Sequence, residues 1–261
     1  MILIAIILGT LTAGIGSVWL AAALSFGILA KYTQHMLSLA AGALLATAFM
    51  HLLPEAFESQ ASAHDLFAAL LAGVVFFFLL DKAELWHHGH EHGAGHDHSH
   101  GHDHDHRQET KSGGWAVLAG DSVHCFGDGI LIASAFMADM RLGIVASLAV
   151  LAHEVPHHMG DLVVLRQSSN NNQRAAIVKV SMAGAVTALG GVLGYLLVEQ
   201  LYDFLPFFLV LASSSFVYVA LADLIPQLQK RVSPRETAAQ IAWLLAGVGL
   251  VTLISGVAHS H

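Results

Sequence analysis

His153-Glu154-Val155-Pro156-His157-His158-Met159-Gly160-Asp161 sits in the middle of an apolar segment. The segment around it runs from roughly 141 to 166, long enough to cross a bilayer as a helix. The preceding apolar segment, roughly 114–137, carries a second polar stretch at its centre, Asp121-Ser-Val-His124-Cys125-Phe-Gly-Asp128-Gly129. A charge at the centre of a bilayer costs about 2.5–3.5 kcal/mol even on lenient scales. Two such clusters at mid-segment therefore require partners or a hydrated cavity. Solvated helix ends and simple helix-helix contacts are the plain alternatives, and the central position of both clusters argues against them.

Composition supports a membrane setting. Of 261 residues, 55% are hydrophobic and 11% charged, with a mean hydropathy of +0.63. A soluble domain carries about 25% charged residues, so this chain could not cover a water-facing surface. The 11 Lys and Arg and the net charge of -8 exclude a nucleic-acid binder. A single cysteine, Cys125, excludes a disulfide scaffold.

Working outward, eight apolar segments are legible, at roughly 2–27, 34–56, 64–84, 114–137, 141–166, 174–198, 204–226 and 237–258. Backbone polar groups in lipid must pair within their own segment, so the expected fold class is an all-α polytopic membrane protein with eight transmembrane helices. The first segment lacks the basic start of a signal peptide, and no cleavage is expected. Lys31, Lys82, Arg107, Lys111, Arg166, Arg174, Lys179, Lys230, Arg231 and Arg235 fall on one side of this topology, and Arg141 alone on the other. The basic side is cytoplasmic by the positive-inside rule, which puts both termini outside, and the expected location is a plasma or bacterial inner membrane. The outer side carries Glu55, Glu58, Asp65, Asp139, Glu199 and Asp203, a charge distribution that concentrates cations at a mouth.

Ala41–Ala56 (AGALLATAFMHLLPEA) and Ser213–Leu228 (SSSFVYVALADLIPQL) match at an offset that aligns Pro54 with Pro226, His51 with Asp223 and Leu52 with Leu224. Each opens on a triplet of small residues. The second copy lies five segments after the first, so the two would cross the membrane in opposite directions, as the halves of inverted-repeat transporters do. His51 and Asp223 then read as entry and exit relay groups, with Glu55 beside the former.

Helical periodicity puts His124 and Asp128 on one stripe with Asp121 and Cys125. It puts His153, His157 and Asp161 on another, with Glu154 and His158 adjacent. Imidazole, carboxylate and thiol together suit a borderline transition metal, Zn²⁺ above all, and not Ca²⁺ or Mg²⁺. Pro156 leaves the Ala152 carbonyl without its helical donor. The long loop between segments 3 and 4 holds His87, His88, His90, His92, His96, His98, His100, His102, His104 and His106, separated by Gly, Asp and Glu. Such a tract builds no core, is expected to be disordered, and binds metal in many arrangements.

HCFGDG (124–129) and HEVPHHMGD (153–161), with HLLPEA (51–56), resemble the ZIP family of metal transporters over essentially the whole chain. The resemblance implies a 3+2+3 bundle. Residues 1–84 would form the first repeat, 85–113 the cytoplasmic His-rich loop, 114–166 the metal-site helices and 174–258 the second, inverted repeat. It implies movement of divalent metal toward the cytoplasm, Zn²⁺ first, with Cd²⁺, Fe²⁺ and Mn²⁺ as further substrates. It also implies one metal site from His124, Asp128, His153 and His157. A neighbouring site would use Cys125, Glu154, Asp128 and His157, with Asp128 and His157 bridging. Asp121, His158 and Asp161 are left as pathway groups. Many relatives carry Asn at the Cys125 position, and a thiolate is the softer ligand. The partners are metal ions and the lipid bilayer, with a homodimer allowed. Two rival readings remain. His153-Glu154-Val155-Pro156-His157 satisfies the H-E-x-x-H motif of a zinc protease, with Glu154 as general base. A metal-sensing receptor is the other. Pro156 inside the motif and the second ligand set on the preceding segment both disfavour the protease.

Overall fold

The computed structural model describes residues 1–25, 33–89, 110–169, 171–229 and 233–258. Eight helical rods account for them. The first, α1, is Ile2–Leu11 continued through a π turn at Thr12–Gly16 into Ser17–Ser25. The second, α2, is Thr33–Thr47, a π turn at Ala48–Leu52, then Leu53–Phe57. Next come α3 (Ala63–Gly89), α4 (Thr110–Ala138), α5 (Met140–Ser168) and α6 (Gln173–Gln200). A 3-10 turn at Tyr202–Phe204 leads into α7, which is Leu205–Tyr218, a π turn at Val219–Leu224, then Ile225–Leu228. The last rod, α8, is Pro234–Ala258. Among the described residues there is no strand. The molecule is an all-helical polytopic membrane protein.

The helix ends obey local chemistry. Asp139 caps α5 by accepting from the Arg141 amide at 2.8 Å, and Asn172 caps α6 by accepting from the Ala175 amide at 3.2 Å. Ser233 and Glu236 form a reciprocal capping box at the start of α8. The stretch expected as loop over 85–113 is shortened at both ends, because α3 continues to Gly89 and α4 begins at Thr110. His87 and His88 therefore lie on α3, whereas His90 to His106 lie outside the described residues.

Six rods are long and apolar enough to cross a membrane: α1, α2, α3, α6, α7 and α8. The two that fall short are α4 and α5, which carry the ionisable clusters. Both still expose apolar side chains, Val123 on α4 and Ile144, Leu148, Val163 and Val164 on α5. In the most apolar window of both α3 and α8 only 11% of residues are buried, against 67% in α2. The outer pair is therefore peripheral, and α2 helps to enclose the centre. α4 packs on α5 and α6, and α5 packs on α1 and α2. α2 also packs on α8, and α7 packs on α3 and α4. Exchanging α1 with α6, α2 with α7, α3 with α8 and α4 with α5 maps this contact pattern onto itself. α2 and α7 also share a local construction, a π turn with Pro54 or Pro226 at the next helix start.

Small residues set how closely the rods approach. A Cβ on Gly190 of α6 would strike the carbonyl oxygen of Phe126 on α4, and one on Gly129 would strike the carbonyl oxygen of Thr187. The two backbones touch at this crossing, which lies beside Cys125 and Asp128. α1 and α6 meet in the same way at Gly14 and Gly184. Overpacking a close contact costs about 1–3 kcal/mol where neighbours can move, and two backbones cannot. Gly190→Leu should lower the thermal unfolding midpoint in detergent by about 5 °C or more. An unchanged midpoint would show that α4 and α6 are not held at this distance.

Candidate metal centre

α4 and α5 face each other with their polar stripes inward, and the side chains form three groups that could each hold a metal ion. The first joins His124, Asp128, His153 and Glu154. The His124 Nε2 lies 3.1 Å from Glu154 Oε1 and 3.8 Å from Asp128 Oδ2. The His153 Nε2 lies 3.2 Å from Asp128 Oδ2 and 3.3 Å from Glu154 Oε1. The two imidazole nitrogens are 3.4 Å apart.

The second group joins Asp121, Cys125, Glu154 and His158. The His158 Nε2 is 3.1 Å from Glu154 Oε2 and 3.5 Å from Asp121 Oδ1. The Cys125 Sγ lies 3.6 Å from Asp121 Oδ1 and 4.0 Å from His158 Nε2. Glu154 thus presents one oxygen to each group. The third group joins Asp121, His157 and Asp161. The His157 Nδ1 is 3.6 Å from Asp121 Oδ1 and 3.4 Å from Asp161 Oδ2.

Hydrogen bonding selects the tautomer of two histidines. The His153 Nδ1–H donates to the Ala149 carbonyl at 3.3 Å. A carbonyl only accepts, so Nδ1 carries the proton and Nε2 keeps a lone pair for the cluster. The His158 Nδ1 lies 2.9 Å from Ser17 Oγ. Ser17 donates its own hydroxyl proton to the Gly14 carbonyl at 2.6 Å. The hydroxyl therefore accepts from His158, which again leaves Nε2 as the ligand atom. Thr187 of α6 lies beside the Cys125 side chain, at the crossing where Gly129 meets the Thr187 carbonyl. Asp121 Oδ2, Asp128 Oδ2, both Glu154 oxygens, His157 Nδ1 and Asp161 Oδ2 are buried without a hydrogen-bond partner. Buried lone pairs facing one another in this way are completed by a proton or a cation.

The structure brings most of the expected residues together, in partly different sets. His124, Asp128 and His153 converge, and Glu154 is the fourth residue of that group. Cys125 and Glu154 are joined by Asp121 and His158. His157 turns its Nδ1 toward Asp121 and Asp161, although its ring lies 5.3 Å from that of His124, centroid to centroid. The shared residues are Glu154 and Asp121. His51, Glu55 and Asp223 are in none of the three groups. The His51 Nδ1–H donates to the Ala46 carbonyl at 3.3 Å inside its π turn. Asp223 accepts from Gln227 Nε2 at 2.9 Å. Glu55 is exposed and faces the charges of Glu58 and Asp139. Ser17 and Thr187 escaped the sequence reading. Their only signal was a hydroxyl in an otherwise apolar segment.

A family model described as ZIP Zinc transporter matches residues 1–109 and 82–255. The chain is 27% identical over 275 residues to Zinc transporter ZIP13 of Pongo abelii, covering 95% of this chain and 77% of that protein. It is 30% identical over 158 residues to Zinc transporter ZIP13 of Danio rerio, covering 57% of this chain and 43% of that protein. It is 34% identical over 137 residues to Zinc transporter ZIP4 of Homo sapiens, covering 52% of this chain and 20% of that protein. These last two alignments span less than half of the relatives' own length. The family match runs through the helices that carry the three groups, and the chain belongs to the ZIP zinc transporter family, whose members are transporters and not enzymes.

Proposed function

We propose that this chain moves Zn²⁺ across a membrane toward the cytoplasm, through a two-metal site between α4 and α5. The observation that carries this reading is Glu154, buried at the centre of the bundle with one oxygen in each of two adjacent four-residue groups. Each group offers the mixed nitrogen and oxygen donors, with one thiol, that suit Zn²⁺ and also admit Cd²⁺, Fe²⁺ and Mn²⁺. Glu154 is already a shared ligand here, so the H-E-x-x-H match has a use without proteolysis.

The contact pattern that survives exchange of the two halves supports an inverted repeat of α1–α3 and α6–α8 around α4 and α5. So do the paired π turns of α2 and α7. Alternating access then arises from rocking one set of helices against the other. The one-sided distribution of Lys and Arg supports both termini outside and the α3–α4 connection in the cytoplasm, and the membrane on this reading is a plasma or bacterial inner membrane. Metal enters past Glu55, Glu58 and Asp139, sheds water and binds first among His124, Asp128, His153 and Glu154. The histidine tract of the connection then buffers the ion as it arrives. A homodimer is compatible with the broad apolar faces of α3 and α8.

Purified protein in liposomes tests the reading. Zinc flux should be present in wild type and abolished in Glu154→Ala with folded yield unchanged; wild-type flux in that variant would contradict the site. Deleting residues 87–106 should change apparent affinity and spare basal flux. Ser17→Ala removes the acceptor that orients His158, and should raise the half-saturating zinc concentration about tenfold. An unaltered value would show that the hydroxyl does not position the ligand. Imidazole must be neutral to bind metal, so half-saturation should rise as the pH falls. A flat profile between pH 7.5 and about 5.5 would exclude histidine coordination in the rate-determining state.

A further inference from the structure

We propose that Asp121, His157 and Asp161 form a third metal subsite, the one from which a Zn²⁺-like divalent ion leaves the two-metal site. The inference rests on the transport reading above and extends it along the same helix pair. The three side chains converge from α4 and α5 with ligand atoms 3.4 to 3.6 Å from His157 Nδ1. Asp121 and Asp161 are 3% and 9% exposed. Asp121 Oδ2, Asp161 Oδ2 and His157 Nδ1 are all buried without a hydrogen-bond partner. Three ligand residues whose buried polar atoms converge at 3.4 to 3.6 Å without a hydrogen bond between them describe a cation site.

Its position makes it the last of a series. From Asp128 to Asp121 on α4, and from His153 to Asp161 on α5, the helices advance about 10–12 Å. The three groups divide that path into steps. Glu154 belongs to the first and second groups, and Asp121 to the second and third. An ion passing down the series keeps one carboxylate at each step while it exchanges the remaining ligands. On the proposed orientation, the Asp161 end is the cytoplasmic end.

The coordination differs in the direction that release requires. The first two groups each contribute four residues, the third only three. Three protein ligands leave a tetrahedral ion an open position for water. His157 keeps 38% of its side chain exposed, more than His124 at 28% and the 3% or less of His153, Asp128 and Glu154. A site from which ions must depart has to bind weakly enough to let go. The four carboxylates Asp121, Asp128, Glu154 and Asp161 balance two divalent ions, so a series of three groups has a vacancy into which an ion can move.

Cd²⁺ added to the full-length chain in detergent before crystallisation is the probe. Anomalous scattering should show a peak among Asp121, His157 and Asp161 in addition to one among His124, Asp128, His153 and Glu154. Asp161→Asn should remove the third peak and keep the first, while Asp161→Glu should retain both. In liposomes, Asp161→Asn should lower maximal zinc flux about tenfold and shift half-saturation less than about twofold, the pattern of a slowed exit. A first peak without a third in wild type, or a third peak that persists in Asp161→Asn, overturns this inference and leaves the transport reading standing. No peak anywhere between α4 and α5 overturns both.

Discussion

The structure depends on how Glu154 is held. Its carboxylate is buried between two helices, and no hydrogen-bond donor of the protein satisfies either oxygen. The groups nearest to it are Nε2 atoms of His124, His153 and His158, at 3.1 to 3.3 Å. For His153 and His158 the ring proton is committed on the far side, to Ala149 and Ser17. The facing atoms are then lone pairs on both sides. An unsatisfied buried polar group costs about 1–3 kcal/mol, and more when it is charged. A divalent cation between these atoms turns a repulsive arrangement into a coordinated one. The remaining helices bury most of this centre, and α1 supplies it with a second partner, Ser17.

That arrangement needs backbones in contact. Gly190 and Gly129 bring α6 onto α4, and Gly14 and Gly184 bring α1 onto α6. The same approaches deliver Thr187 to Cys125 and Ser17 to His158. Ser17 comes directly after the π turn at Thr12–Gly16, where the helix is locally widened. One inserted residue rotates the remainder of the helix, so the hydroxyl can reach inward while Trp19 and Leu20 remain on the exposed face. Apolar clusters flank the polar stripes. Leu131, Ile132 and Phe136 pack beyond Asp128 in one cluster. Val155, Met159 and Leu162 pack beside the other end with Val18 and Val180.

Much of the fold was legible because lipid imposes a length and a polarity on each segment. Eight apolar runs, the two interrupted by charge, and their order along the chain come from that constraint alone. The α4 and α5 stripes were legible too, because i,i+4 spacing needs only one helix. Which residues share an ion needs the rotation of one helix against another, and no single-helix periodicity contains it. Glu154 therefore read as a member of the second set, whereas the structure places it in both of the first two groups. His157 turns toward Asp121 and Asp161 for the same reason. Ser17 was out of reach because its contact spans 141 positions in the chain and depends on a π turn that no residue pattern announces.

Shared carboxylates also bear on how an ion can move at all in a centre this well buried. Stripping a divalent ion of every ligand inside a low-dielectric bundle would impose a barrier of many kcal/mol, because nothing replaces the lost charge. Glu154 avoids that situation geometrically. Its two oxygens point into adjacent groups, so on the proposed transport reading an ion leaving the first would already be beside a ligand of the second. Only the imidazoles and the other carboxylate have to be exchanged. On that reading the Cys125 thiol would enter on the far side of this exchange and add a soft donor that hard ions do not favour. On the proposed transport reading, passage would follow from the placement of Glu154, one residue after His153, and discrimination from the Cys125 thiol beside it on the facing helix.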